Sequence, residues 1–185
     1  MIGYKYAFYI ADDTGCLVMC RRYRGLWEVV FSAYVVCRYI QKAGAEMTLK
    51  EKGEWNLKLA EILDSEEFLD LLRFHKEHSQ IRREHLCSVI VNRLYYGIYL
   101  IAKGKLVDKG IYKSDDRIPH SGRGCIWKSL IRENEHYSNE IRVVYRLRGM
   151  RNHVDYEADN ERNINNINKA KEFAQKLHKT LKELK

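Results

Sequence analysis

Six polar or ionisable side chains, Arg148, Arg151, Asn152, His153, Asp155 and Tyr156, fall within nine consecutive residues of this chain. On an α-helix, at about 100° per residue, Arg148, Arg151 and Asp155 share a flank about 60° wide. Such a flank suits a phosphate, with Asp155 orienting an arginine; its ordinary alternative is a solvated face on which Asp155 pairs with Arg151. His153 lies about 140° from Arg148 on the same helix, so the two side chains cannot converge on one phosphate without a helix end or a second subunit. Between residues 117 and 151 the chain carries eight basic residues against three acidic ones. That bias, overlapping the arginine cluster, points to RNA or a nucleotide as partner.

The elements that must hold these residues are mostly helical. With 45% hydrophobic and 31% charged residues, one proline and eleven glycines in 185 residues, the chain is neither disordered nor a turn-dense β-sandwich. Leu57, Leu59, Ala60 and Leu63 repeat in helical register, and Asp64-Ser65 ahead of Glu66-Glu67 predicts a new helix from Ser65 to about His78. Leu86, Val89, Ile90, Leu94, Ile98 and Ile101 predict the longest helix, from Ile81 to about Val107. Lys113–Gly124 contains Pro119 and a cluster of Ser, Asp and Gly, so it is a loop. Short helical character follows at Cys125–Ile131, then helices over Ser138–Val154 and Asn160–Leu184.

The first forty residues are aromatic, β-branched and poor in acidic groups. Tyr4–Ile10 and Cys16–Tyr23 flank the turn cluster Asp12-Asp13-Thr14-Gly15, which predicts a short β-hairpin, and Leu26–Ala43 has helical spacing. The expected division is an N-terminal extension over 1–63 and a helical bundle over 64–185.

Two segments together resemble a known family. Asn92-Arg93-Leu94-Tyr95-Tyr96-Gly97 lies in the longest helix, and Leu147-Arg148-Gly149-Met150-Arg151-Asn152-His153-Val154-Asp155-Tyr156 closes a later one, with His120-Ser121 after the loop between them. In order and spacing this resembles the HEPN family (higher eukaryotes and prokaryotes nucleotide-binding). The resemblance covers residues 64–185. It implies an all-α bundle of four to five helices, a homodimer, and in many members a metal-independent endoribonuclease of toxin or defence systems, often beside a nucleotidyltransferase partner.

Such enzymes carry an arginine followed four to six residues later by a histidine. Cleavage by a ribose 2′-hydroxyl needs a base for its proton and a fixed cation for the growing charge, tasks that suit imidazole and guanidinium. The resemblance thus implies Arg148 and Arg151 as charge stabilisers and His153 as base or acid, with Asn152, Asp155, Tyr156 and Arg93 orienting or binding. When Arg151-Asn152 is aligned with the family's Arg-Asn pair, Tyr156 stands where the histidine belongs, and that register favours a non-catalytic module binding a nucleotide or a nucleotidyltransferase.

Tyr95, Tyr96 and Tyr99 read as core or interface aromatics, with base stacking as the alternative. Arg93, on a largely buried helix, requires a partner, for which Asp155 is a candidate. His75 and His78 stand at i, i+3 without a completing ligand set, so neither metal nor cofactor is expected. Five cysteines with no Cys-x-x-Cys pair fit a reducing cytoplasm. No stretch reaches the roughly 20 apolar residues of a membrane span, and Met1–Ile10 does not read as an export signal.

Overall fold

The computed structural model describes residues 7–8, 20–21, 47–74, 82–120, 122, 124–156 and 164–184. Two compact units divide the chain, Met1–Glu46 with Leu69–Ile81 and Met47–Phe68 with Arg82–Lys185. In the first unit, strands β1 (Ala7–Phe8) and β2 (Cys20–Arg21) pair antiparallel, Ala7 opposite Arg21 and Phe8 opposite Cys20. Both lie inside the segments expected to form a hairpin. The expected turn at 12–15, the helix over 26–43 and the histidines at 75 and 78 lie outside the described residues.

The second unit is an all-α bundle. Its helices are α1 (Leu49–Leu63), the start of α2 (Glu66–Phe74), α3 (Cys87–Asp108), α4 (Ile126–Glu133), α5 (Ser138–Ile141), α6 (Val143–Tyr156) and α7 (Ile164–Glu183). A 3₁₀ turn, Arg83–Leu86, leads into α3. The sequence places α1 in an N-terminal extension, but Ala60 and Leu63 are buried in the bundle core and Leu57 packs against it. The division after Leu63 is therefore corrected: α1 supplies apolar surface that α3 requires, and the bundle unit begins at Met47.

α3 is the central element, with α1, α4, α6 and α7 all packed on it. Its buried residues run almost all round the helix, Ile90, Val91, Leu94, Tyr95, Ile98, Tyr99, Ile101, Ala102 and Leu106, as a fully enclosed helix requires. α1 crosses it at touching distance. A Cβ built on Gly97 would lie 2.9 Å from the Gly53 carbonyl oxygen and 2.8 Å from Leu57 Cδ2, so both glycines are fixed by the close approach of two backbones.

The ends of these helices follow from local chemistry. Thr48 and Glu51 form a reciprocal capping box that starts α1. Ser65 Oγ accepts the Phe68 amide at 3.2 Å and caps α2 ahead of Glu66 and Glu67. Gly110, at φ 70°, ends α3 while the Ile111 amide reaches back to the Leu106 carbonyl at 2.9 Å. Where the sequence predicts one helix from Ser138, the chain tightens at Arg142, and the Tyr145 amide bonds the Arg142 carbonyl three residues back. That step lets Ile141, Val144 and Leu147, spaced by three, all bury.

Asp64 ties three elements together. Its carboxylate, 1% exposed, accepts from Arg83 on the 3₁₀ turn and from Lys171 on α7 at 2.7 Å, and Arg83 also donates to Asn168 on α7 at 3.1 Å. Burial alone would raise the Asp64 carboxyl, but the two cations outweigh it and hold it below the usual carboxylate range.

Candidate phosphate site

α6 is helical without interruption from Val143 to Tyr156. Arg148 and Arg151 therefore stay on one flank, and His153 remains about 140° from Arg148 around the same helix. Arg151 is held from two sides: its Nε donates to Asn92 Oδ1 on α3 at 3.0 Å and its Nη1 to Asn152 Oδ1 at 3.2 Å. The guanidinium carbon also lies 6.0 Å from the Tyr96 ring centre, within cation–π range.

His120, which lies outside the expected site residues, shares Tyr96 as a neighbour with Arg151. His120 enters from the loop after α3, stacks on Tyr99 with ring centres 4.0 Å apart, and meets the Tyr95 hydroxyl through Nδ1 at 3.0 Å. Tyr96 stands edge-on to the same imidazole at 5.7 Å. Burial, then the positive charges of Arg151 and Arg148, lower the His120 pKa to about 4. His120 is thus uncharged at neutral pH within the field of two arginines. When the Tyr95 hydroxyl accepts from Nδ1, Nε2 carries the lone pair; when that hydroxyl donates, Nε2 becomes the donor.

The tyrosines are fixed phenols. Burial pushes the Tyr99 hydroxyl up to about 12 and raises Tyr95 as well. Tyr99 spends its proton on the Ile118 carbonyl at 2.8 Å. Tyr95 and Tyr99 are core residues, 2% and 8% exposed, whereas Tyr96 is half-buried beside Arg151.

The remaining candidates distribute differently. Arg93 points toward α1, where its Nη1 donates to Asn56 Oδ1 at 3.1 Å, so an amide oxygen supplies one of the contacts this half-buried cation needs. His153 is half-buried in the last turn of α6. Asp155 and Tyr156 complete that turn, and their side chains lie outside the described residues. Of the expected site, the structure brings together Arg148, Arg151 and Asn152, adds Asn92, Tyr95, Tyr96 and His120, and leaves His153 on another flank. Arg117, Lys128, Arg132, Arg142 and Arg146 are exposed on the elements that flank this cluster in sequence.

A groove of about 510 Å³ between α1 and α7 shares no lining residue with the arginine–histidine cluster. Glu51, Glu54 and Glu61 line it together with Lys58, Lys171 and His178, of which His178 is paired with Glu54 at 2.6 Å and Lys171 with Asp64 at 2.7 Å. Among the described residues no group of three His, Cys, Asp or Glu side chains is arranged to hold a metal ion, and no helix is long and apolar enough to cross a membrane. Compared with known proteins, the chain matches no family model, no curated protein and no solved structure.

Proposed function

We propose that this chain is a HEPN-like, metal-independent endoribonuclease that cleaves RNA at the Arg148–Arg151–His120 cluster. The observation that carries the reading is an imidazole held by Tyr95 and Tyr99 that shares Tyr96 as a neighbour with Arg151, in the field of Arg151 and Arg148. The order of the Arg93-x-Tyr95-Tyr96, His120-Ser121 and Arg151-Asn152 segments supports it independently.

In this reading an RNA phosphate binds Arg148 and Arg151, and the exposed cations nearby hold the flanking backbone. His120 takes the proton of the ribose 2′-hydroxyl as the 2′-oxygen bonds to phosphorus. The bond from phosphorus to the 5′-oxygen breaks, and that oxygen takes up a proton from water as it leaves, giving a 2′,3′-cyclic phosphate and a 5′-hydroxyl, after which His120 returns the proton it took to solvent. The two guanidinium groups stabilise the charge that grows on the phosphoryl oxygens. The arriving phosphate offsets their charge at His120 and thereby makes the imidazole a better base.

A second reading, a module that binds RNA or a nucleotide without cutting it, is favoured by one specific observation. An imidazole with a pKa of about 4 is a weak proton acceptor until its surroundings change.

Purified protein in excess chelator separates the two readings. We expect cleavage of single-stranded RNA to cyclic-phosphate ends, lost by on the order of 100-fold or more in Arg148→Ala, Arg151→Ala and His120→Ala. His153→Ala is expected to retain activity. Loss in His153→Ala with normal cutting by His120→Ala would move the proton transfer to His153, and binding without cutting by the wild type would establish the second reading.

A further inference from the structure

Three side chains of α3, at i, i+4 and i+8, reach the loop that carries His120. The Tyr95 hydroxyl meets His120 Nδ1 at 3.0 Å, Tyr99 donates to the Ile118 carbonyl at 2.8 Å, and Lys103 Nζ donates to the carbonyls of Asp116 at 2.8 Å and Ser114 at 2.7 Å. As the helix residue number rises by four, the loop residue number falls by two. The match is geometric: four helical residues advance about 6 Å, and two extended residues advance about 6.6 Å. Pro119 favours the extended backbone at Ile118 that this spacing needs, and Ile118 is itself buried.

Lys103 is the costly member of this ladder. It is 9% exposed, and burial lowers its pKa although Asp116 and Asp115 oppose the shift. A leucine or methionine would fill the same space without desolvating a charge. Two backbone carbonyls of the loop are what the ammonium gains there, and they lie four to six residues before His120. Asp116 reinforces the turn by accepting the Lys113 amide on Oδ2 at 2.7 Å.

We propose that Lys103 is a positioning residue which, through the loop carbonyls of Ser114 and Asp116, sets the register that holds His120 against Tyr95, Tyr99 and the arginines of α6. The proposal rests on the reading of His120 as the proton carrier of the site. It concerns the placement of that imidazole and is measured without RNA.

The groups facing His120 are Tyr95, Tyr96 and Tyr99 from α3 and Arg148 and Arg151 from α6. A slipped loop withdraws the imidazole from all five and returns it to water. Nitrogen-15 NMR of the histidine side chains in the whole chain reads this directly. In Lys103→Met the His120 titration midpoint is expected to rise by about one pH unit or more toward the ordinary histidine value, and Lys103→Arg, which keeps two donors, is expected to restore the low midpoint.

A folded Lys103→Met protein whose His120 titrates as in the wild type would overturn the proposal. Should Lys103→Met fail to fold, Lys103→Gln, which removes the ammonium and its reach to both carbonyls while keeping a polar end, is measured in its place; it is expected to raise the midpoint in the same direction, and an unchanged midpoint overturns the proposal. Wild-type protein that neither binds nor cuts RNA would defeat the functional reading while leaving this result intact.

Discussion

His120 is the residue on which local physics and the proposed chemistry meet. Its ordinary pKa of 6.5 falls to about 4 in the fold, chiefly through burial and then through Arg151 and Arg148. An unfolded chain takes up that proton near pH 6.5, before the native chain does, so the contribution of His120 to stability is complete above that pH and is lost as pH falls toward 4. Asp64 acts in a lower window, because the stability its depressed carboxyl carries is lost as pH falls from the ordinary carboxylate range toward its own lower value. Urea midpoints measured from pH 7 to pH 4 are expected to fall less steeply in His120→Gln than in the wild type. Equal slopes would mean that the imidazole is solvated. Sequence spacing places Arg148 and Arg151 on one flank of a helix, and the helix over Val143–Tyr156 is continuous. That spacing says nothing of the surroundings of His120, which come from positions 95–99 and 148–151; the Pro119-His120-Ser121 segment stands in the sequence, but only tertiary packing brings it to the arginines.

At the scale of elements, the bundle depends on one close crossing. Gly53 and Gly97 let the backbones of α1 and α3 touch, and a Cβ on Gly53 would lie 2.7 Å from the Gly97 carbonyl oxygen. A leucine at 97 must push α1 away from a core that includes Ala60 and Leu63. Gly97→Leu is expected to destabilise the protein by about 3 kcal/mol, read as a lower urea midpoint with retained helical circular dichroism. Wild-type stability in that variant would contradict the crossing. Helical periodicity marked most of these elements in the sequence, since α7 buries Ile167, Ala170, Leu177 and Leu181 as its spacing requires. Periodicity carries no information about partners, however. The family resemblance begins at residue 64 and so leaves α1 in the extension, whereas the paired glycines that seat it on α3 act through contact between helices.

Over the whole molecule, a formal charge of +8 attracts polyanions at long range, as the proposed RNA reading requires and no single side chain supplies. Exposed Arg117, Lys128, Arg132, Arg142 and Arg146 share that task, while the half-buried Arg148 and Arg151 are the ones whose charge reaches the His120 imidazole. Both the cutting and the binding readings proposed above require a phosphate, of RNA or of a nucleotide, at this place. Titration of the His120 side chain by nitrogen-15 NMR, with and without a saturating non-cleavable oligoribonucleotide bearing 2′-O-methyl groups, is the most direct test. A bound phosphate offsets the two guanidinium charges, so the His120 midpoint is expected to rise from about 4 by about one pH unit or more, with the rise reduced in Arg148→Ala and Arg151→Ala. Saturating RNA that leaves the His120 midpoint unmoved would place the binding surface elsewhere and contradict the assignment of this cluster as the phosphate site.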